Sequence, residues 1–238
     1  MLQPLSNCAI IGAMTGTPRQ RARAQAIEDI KRIAKEQLAR EGSAALSLRA
    51  IARELGIVSS AVYRYVPSRD DLLTMLIVDA YNSLGDAVEA AEGACARDDL
   101  RGRWLALGST ARAWAVERPS EYALIYGSPV PGYQAPVEQT GDPGTRVSFL
   151  LLALLVDVER RRPPSAPLSG PLGEDLAALR DTLGLEIGDD LLARGYLAFT
   201  AMFGLISFEV FGQYRGSFTD CAAHFEHQLG RLADLLGI

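Results

Sequence analysis

The sequence has few of the features that mark secreted, metal-binding or membrane proteins. Its 238 residues include only three cysteines, Cys8, Cys95 and Cys221, and no two of them form a Cys-x-x-Cys pair. A disulfide framework and a structural zinc site are therefore not expected, and a reducing cytoplasm is the expected compartment. The longest uncharged apolar stretches, Val147–Val156 and Gly195–Phe208, are shorter than the roughly 20 residues that span a bilayer. We therefore expect no membrane segment.

Sequence signals of catalysis are also scarce. The two histidines, His224 and His227, lie three residues apart in the last expected helix, and such a pair without a third ligand makes a poor metal site. The chain has no Gly-x-Ser-x-Gly motif, no Gly-x-Gly-x-x-Gly motif after a strand, and no phosphate-binding P-loop. We expect no catalytic residue, no cofactor and no metal, and we do not expect an enzyme.

The charge is unevenly distributed along a chain whose formal net charge is −5. From Arg19 to Arg69 there are 11 basic and 5 acidic residues, whereas from Asp70 to Ile238 there are 13 basic and 24 acidic residues. A basic block joined to an acidic body predicts that one end of the protein meets a polyanion such as nucleic acid. The alternative is a solvated basic helix face that has no partner.

The spacing of apolar residues is helical nearly everywhere, and no segment shows the alternation that is typical of strands. The pattern predicts an all-α fold of about nine helices. Proline and glycine are concentrated in residues 128–143 and 163–173, which we expect to be loops. The longer helices are expected at Ser68–Glu92, Thr145–Arg161, Asp189–Gln213 and Thr219–Leu236.

One segment, Ser47–Val66, has the layout of a helix-turn-helix. Ala52 is small enough for a second helix to approach the first, Gly56 tolerates the positive φ that the turn needs, and Val62 completes a small core. A further helix precedes the segment, and the basic block coincides with it. In a helix-turn-helix the second helix lies in the major groove of DNA.

The run SLRAIARELGIVSSAVYRYVPSRDDLL resembles the DNA-binding domain of the TetR/AcrR family of bacterial regulators. The specific match covers about residues 20–75. The loop GSPVPGY and the helix end GLISFEVFGQYRG resemble one actinobacterial subgroup of that family. Three residues depart from the family pattern: Val58 replaces the usual Ser or Thr, Tyr65 the usual His, and Val66 the usual Phe.

The resemblance implies a three-helix DNA-binding domain joined to a larger helical domain that binds a ligand and dimerises. We assign residues 1–18 to a disordered N-terminal extension, 19–66 to the helix-turn-helix domain, and 67–238 to the ligand-binding and dimerisation domain. Residues 67–92 are expected to form a connecting helix. The implied function is that of a homodimeric repressor, which a small apolar or amphipathic effector releases from a palindromic operator on double-stranded DNA.

Two alternatives come from other functional classes. The chain could be an all-α enzyme or small-molecule carrier that begins with a helix-turn-helix-like segment, or a DNA-binding activator or nucleoid protein without effector control. The segregated basic block favours a DNA-binding protein over an enzyme.

The resemblance and the expected helix faces also select candidate site residues. Candidates for DNA contact lie in or beside the helix-turn-helix: Ser47, Arg49, Ser59, Ser60, Tyr63, Arg64, Tyr65 and Arg69. Candidates for the wall of a ligand cavity are aromatic residues of the C-terminal part, since pockets are mostly apolar: Trp104, Trp114, Tyr122, Tyr126, Phe149, Phe199 and Phe203.

Overall fold

The structure is a computed structural model that describes residues 17–162 and 166–238, and in these ranges it contains α-helices and no β-strand. The all-α prediction is confirmed, with ten α-helices where about nine were expected. They are α1 (Pro18–Glu41), α2 (Leu48–Glu54), α3 (Ser59–Tyr63), α4 (Arg69–Gly93), α5 (Leu100–Glu117), α6 (Pro119–Tyr126), α7 (Val137–Glu159), α8 (Pro171–Leu183), α9 (Asp189–Val210) and α10 (Cys221–Leu236).

The chain divides into two compact units, Met1–Met75 and Leu76–Ile238. Helix α4 begins in the first unit and ends in the second. The expected N-terminal extension lies mostly outside the described residues, and the described chain is helical from Pro18 onward.

Local sequence signals explain where the helices of the first unit begin. Thr17 caps α1 through a capping box with Gln20, and Pro18 occupies the first helical position, where its missing N–H costs nothing. Ser68 caps α4: the backbone N–H of Asp71 donates to Ser68 Oγ at 3.0 Å, and the Ser68 hydroxyl donates to the Asp71 carboxylate at 2.6 Å. The predicted start of the connecting helix is therefore confirmed.

The core of the first unit lies between α1, α2, α3 and the first turns of α4. Polar contacts close its edge, since the Ser47 N–H donates to the side chain of the buried residue Gln37 at 3.4 Å. The fully buried apolar side chains of this core come from all four helices: Ile30, Ile33, Ala34, Ile51, Ala52, Val62, Leu72 and Leu73.

The core of the second unit is built mainly from α5, α7, α9 and α10. Trp104 is fully buried, and its indole N–H donates to the Leu229 carbonyl at 2.9 Å, which joins α5 to α10. Charged side chains make further links between helices. Buried Arg103 on α5 pairs with Glu92 and Asp157 at 2.6 and 2.7 Å.

The expected loop at residues 128–143 is wrong over its last seven residues, because α7 begins at Val137 and contains Pro143. Hydroxyl groups bond the backbone in this part of the helix. Thr140 donates to the Pro136 carbonyl at 2.8 Å, and Thr145 donates to the Gly141 carbonyl at 3.1 Å. The proline therefore lies inside a helix whose first turns have additional hydrogen bonds.

Helix α9 is the one helix of the described part that is long and apolar enough to cross a membrane by length and composition. This is weak evidence, because the core helix of a globular protein passes the same test. Leu191, Leu192, Ala198, Met202 and Ile206 of this helix are buried within the core of the second unit.

Candidate nucleic-acid interface and effector cleft

The turn between α2 and α3 is closed by backbone hydrogen bonds. The Gly56 N–H donates to the Arg53 carbonyl at 3.1 Å, and the Ile57 N–H donates to the Ala52 carbonyl at 3.0 Å. This pair of bonds is a Schellman motif, which requires a left-handed residue directly after the helix. Gly56 has φ +68°, so the positive φ expected at this position is confirmed.

Helix α3 buries one face and presents the other to solvent. Val62 is fully buried, whereas Ser60, Tyr63 and Arg64 are exposed and lie three and four residues apart, on one face. Ser59 is half-buried at the start of the helix. The structure therefore brings three of the predicted DNA contacts together on the free face of α3.

Val58 occupies the N-cap position of α3 in an extended conformation, and no side chain caps the helix there. Val58 is 70% exposed. Replacement of the usual hydroxyl residue thus leaves an apolar group at the solvent-facing start of the helix.

The other predicted DNA contacts differ in their surroundings. Ser47 caps α2 by accepting the Ala50 N–H at 3.3 Å, and Arg49 is exposed in the first turn of that helix. Arg69 donates from its guanidinium to the Ser43 carbonyl at 2.8 Å, so this side chain already has a partner within the unit.

Tyr65 and Val66 follow α3 and pack inward. Val66 is fully buried, and Tyr65 is half-buried with the guanidinium of Arg23 over its ring, 5.5 Å from the centroid. The Tyr65 ring therefore lies between the end of α3 and the beginning of α1, and its contact with Arg23 could not be read from sequence spacing.

Of the aromatic residues predicted to line a ligand cavity, three are buried and have polar atoms with partners inside the protein. Besides Trp104, the indole of Trp114 donates to Ser83 Oγ at 2.9 Å. The Tyr122 hydroxyl lies 2.7 Å from Ser207 Oγ. These three side chains pack in the core of the second unit.

The remaining candidates separate into a cluster and an outlier. Tyr126 packs against Phe203 with ring centroids 4.5 Å apart, and Phe203 packs against Phe199 at 4.8 Å. Phe149 on α7 is 52% exposed. Phe199 also lines a small cleft of about 80 Å³ between α7 and α9.

A larger cleft of about 320 Å³ lies between α4, α6 and the segment that leads into α7. Tyr81 on α4 was not selected from the sequence, yet it faces this cleft, and its hydroxyl donates to the Ile125 carbonyl at 3.4 Å. The signal that could have located the cleft is the GSPVPGY loop, which supplies five of its residues. The lining side chains carry no charge: Ile77, Tyr81, Leu124, Ile125, Ser128, Pro129, Val130, Tyr133, Ala135 and Thr140, with Gly127.

Burial keeps the nearby phenols protonated. Desolvation raises the pKa of Tyr81 above its ordinary value, and it raises the pKa of Tyr126, which stacks edge to face on Tyr81 with ring centroids 6.3 Å apart. The Tyr81 hydroxyl is therefore a neutral hydrogen-bonding group at the wall of an uncharged cleft. Among the described residues, no three His, Cys, Asp or Glu side chains are grouped so that they could hold a metal ion.

Comparison with known proteins matches both units. The family model described as "Bacterial regulatory proteins, tetR family" matches residues 31–76, and the model described as "Tetracyclin repressor-like, C-terminal domain" matches residues 104–232. The HTH-type transcriptional regulators Rv1816 of Mycobacterium tuberculosis and Mb1846 of Mycobacterium bovis are each 40% identical over 222 residues. Each alignment covers 92% of this chain and 95% of the relative.

Solved structures agree in fold. The chain matches the structure of SCO4313, which is described as a regulatory protein, with a TM-score of 0.73, 38% identity, and coverage of 93% of this chain and 100% of that one. A protein from Rhodococcus sp. RHA1 matches with a TM-score of 0.62 and 19% identity, over 95% of this chain and 97% of that one. At this identity the second match supports the fold alone.

Proposed function

The chain belongs to the TetR family of bacterial transcriptional regulators, and we propose that it is a homodimeric repressor which a small uncharged molecule releases from its operator. It is a DNA-binding transcriptional regulator. The observation that carries the proposal is the free face of α3, where Ser60, Tyr63 and Arg64 are exposed beside the ordered turn at Gly56. We place the protein in the cytoplasm, where its DNA is, and assign it no catalytic role.

In this proposal Ser60 and Tyr63 meet base edges in the major groove, and Arg64 and Arg49 neutralise phosphates. Neither arginine has an ion-pair partner within residues 17–162 and 166–238, so both guanidinium groups are available. Ser47 accepts a backbone N–H through its oxygen and keeps its hydroxyl proton for a phosphate.

The other three candidates are assigned lesser parts. Ser59, half-buried at the start of α3, is assigned a hydrogen bond to a phosphate. Tyr65 and Arg69 act by holding α3 and the start of α4 in position, because each already has a partner inside the first unit.

The effector is proposed to enter the cleft between α4 and α6. Because the lining side chains carry no charge, the cleft favours an apolar or amphipathic molecule without a formal charge. The hydroxyl groups of Tyr81, Ser128 and Thr140 would supply its few directional hydrogen bonds. The aromatic side chains of the neighbouring core, including Tyr122, Tyr126 and Phe203, would support this wall from behind.

We propose that two copies of the chain dimerise through the exposed faces of their α9 and α10 helices. Leu197 and Phe208, 56% and 51% exposed, belong to a stripe on α9 that also contains Ala201 and Gly204. Large exposed apolar surface of this kind is typical of an interface. A two-fold dimer would match the symmetry of a palindromic operator.

The proposal is tested by footprinting the purified protein on genomic DNA and then screening uncharged apolar molecules for release. We expect palindromic footprints, which the Arg64→Ala variant occupies more weakly. We also expect the Ala135→Trp variant, which fills the cleft, to bind the operator and to lose its response to the molecule that releases the wild type. Absence of any discrete footprint would contradict the proposed repressor function. An unaltered response in Ala135→Trp would contradict the proposal that the effector binds in this cleft.

A further inference from the structure

The first two turns of α1 extend beyond the core of the first unit. All eight residues from Pro18 to Gln25 are exposed, and the first buried residue of the helix is Ile30. At a rise of about 1.5 Å per residue, about 12 Å of helix is therefore exposed on all sides.

Helical spacing places two arginines of this segment on the face that becomes the core face further along. Arg19 and Arg23 are one turn apart, and the same face continues through Ile30 to Gln37, which are buried. Arg21 lies on the opposite side of the helix. The inward-facing side of α1 thus changes from apolar to positively charged where it passes beyond the core.

The contact between Arg23 and Tyr65 shows where the arginine-bearing face of α1 lies. The Arg23 guanidinium lies 5.5 Å from the centroid of the Tyr65 ring, and Tyr65 is the second residue after α3. The arginine-bearing face of α1 therefore lies beside the end of the helix that is proposed to read the major groove.

The charge of the segment is uncompensated. From Pro18 to Ile27 it has three arginines and no acidic residue, and Glu28 is the first carboxylate. Neither Arg19 nor Arg23 has an ion-pair partner in the described part of the chain. The match to the DNA-binding family model begins only at residue 31, so this surface lies outside it.

We propose that Arg19 and Arg23 form a second DNA-contact surface, which neutralises phosphates of the duplex beside the groove that α3 enters. This inference rests on the proposed role of α3 and adds contacts from α1 that are independent of base sequence. A guanidinium group forms forked hydrogen bonds with phosphate oxygens, and Arg23 can do so while its planar group remains over Tyr65.

The test is the salt dependence of binding to a random-sequence duplex and to the footprinted operator, measured by fluorescence anisotropy. For each phosphate that a variant no longer neutralises, the slope of log K against log salt concentration should fall in magnitude by about 0.9. Between about 50 and about 200 mM salt, the drop in affinity should therefore shrink by about 3.5-fold per phosphate. We expect this change in Arg19→Ala, and a larger one in the Arg19→Ala, Arg23→Ala double variant, with both duplexes.

Arg21→Ala is the matched control, because it removes the same charge from the opposite side of the same turns. We expect Arg21→Ala to keep the wild-type slope, and all variants to keep the wild-type thermal midpoint. An unchanged slope in Arg19→Ala overturns the proposal, and so does an equal fall in Arg21→Ala, which would indicate a general charge effect. If the wild type bound neither duplex, the failure would lie in the proposed function itself.

Discussion

Gly56 is the residue on which the geometry of the helix-turn-helix depends most directly. Its φ of +68° is in the left-handed region, and the two hydrogen bonds of the turn require that conformation. A Cβ placed on Gly56 would meet no atom within 4 Å. The cost of a side chain here therefore arises from the backbone alone, without a clash.

We predict that Gly56→Ala lowers the free energy of unfolding by about 1 kcal/mol, because an L-residue is strained at positive φ. The measurement is urea denaturation followed by far-UV circular dichroism. Gly93→Ala is the control, since Gly93 ends α4 without a positive φ and also has open space around it. Equal destabilisation in both variants would show that the left-handed conformation is not the cause.

Single residues were predictable where the signal is local. The beginning of α4 beside Ser68 and the positive φ at Gly56 both follow from neighbours within four positions, and the structure confirms them. The partner of Arg69 could not be predicted, because the Ser43 carbonyl lies 26 positions away along the chain. Its guanidinium reaches that carbonyl because the segment between α1 and α2 lies beside the first turn of α4.

At the scale of helices and loops, local sequence signals also predict some features, while packing decides others. The expected loop at residues 128–143 followed from its prolines, yet α7 begins at Val137 and continues through Pro143. Gly144, in the next position, packs closely on the Tyr81 ring, since a Cβ there would meet the ring at 3.4 Å. Proline and glycine disfavour a helix locally, and contact with α4 outweighs that preference here.

Buried Arg103 joins three elements through charge. Its side chain is 1% exposed on α5, and it bonds Glu92 at the end of α4 and Asp157 on α7. Asp157 also pairs with Arg97 at 2.6 Å and with Arg160 at 3.1 Å. Removal of Arg103 would therefore affect Glu92 more than Asp157, because Asp157 keeps its ion pairs with two other arginines.

We predict that Arg103→Leu destabilises the protein by about 3–5 kcal/mol, because it leaves a buried carboxylate without its cation. Arg101→Leu on the same helix is the control. Arg101 pairs with Asp234 at 2.9 Å while 44% exposed, and such surface pairs contribute about 0–1 kcal/mol. Thermal and urea unfolding of the two variants measure the difference. A destabilisation below about 1 kcal/mol in Arg103→Leu would contradict the assignment.

At the scale of the whole molecule, composition predicted more than any single motif. The basic block ends at Arg69, and the structure divides the chain after Met75, so the charge asymmetry largely follows the two units. Periodicity predicted the helical fold, and the resemblance supplied its class. The GSPVPGY loop could have indicated one wall of the cleft, whereas the wall that contains Tyr81 was not predictable, because α4 meets this loop only through packing.

The exposed stripe on α9 leads to the last prediction, which concerns assembly. Leu197 and Phe208 are about 16 Å apart along the helix, so the stripe is long enough to pack against a second copy over three turns. Around Gly204 it borders a shallow groove of about 290 Å³, which Leu232 of α10 also lines, and a Cβ on Gly204 would meet nothing within 4 Å. The missing side chain leaves room for close approach of a partner helix.

We predict that Phe208→Glu converts the dimer into monomers at micromolar concentration, because the interface would then bury a carboxylate without a partner. Sedimentation velocity measures the change, and an unaltered far-UV circular dichroism spectrum shows that each monomer remains folded, since the thermal midpoint itself depends on dimerisation. Leu172→Glu adds the same charge at a residue of α8 that is 55% exposed. We expect that control to remain dimeric.

The monomeric variant should also lose affinity for the full operator while it retains binding to a half-site, because two recognition helices must be held together to read both halves. A Phe208→Glu variant that sediments as a dimer would place the interface on another face of the second unit.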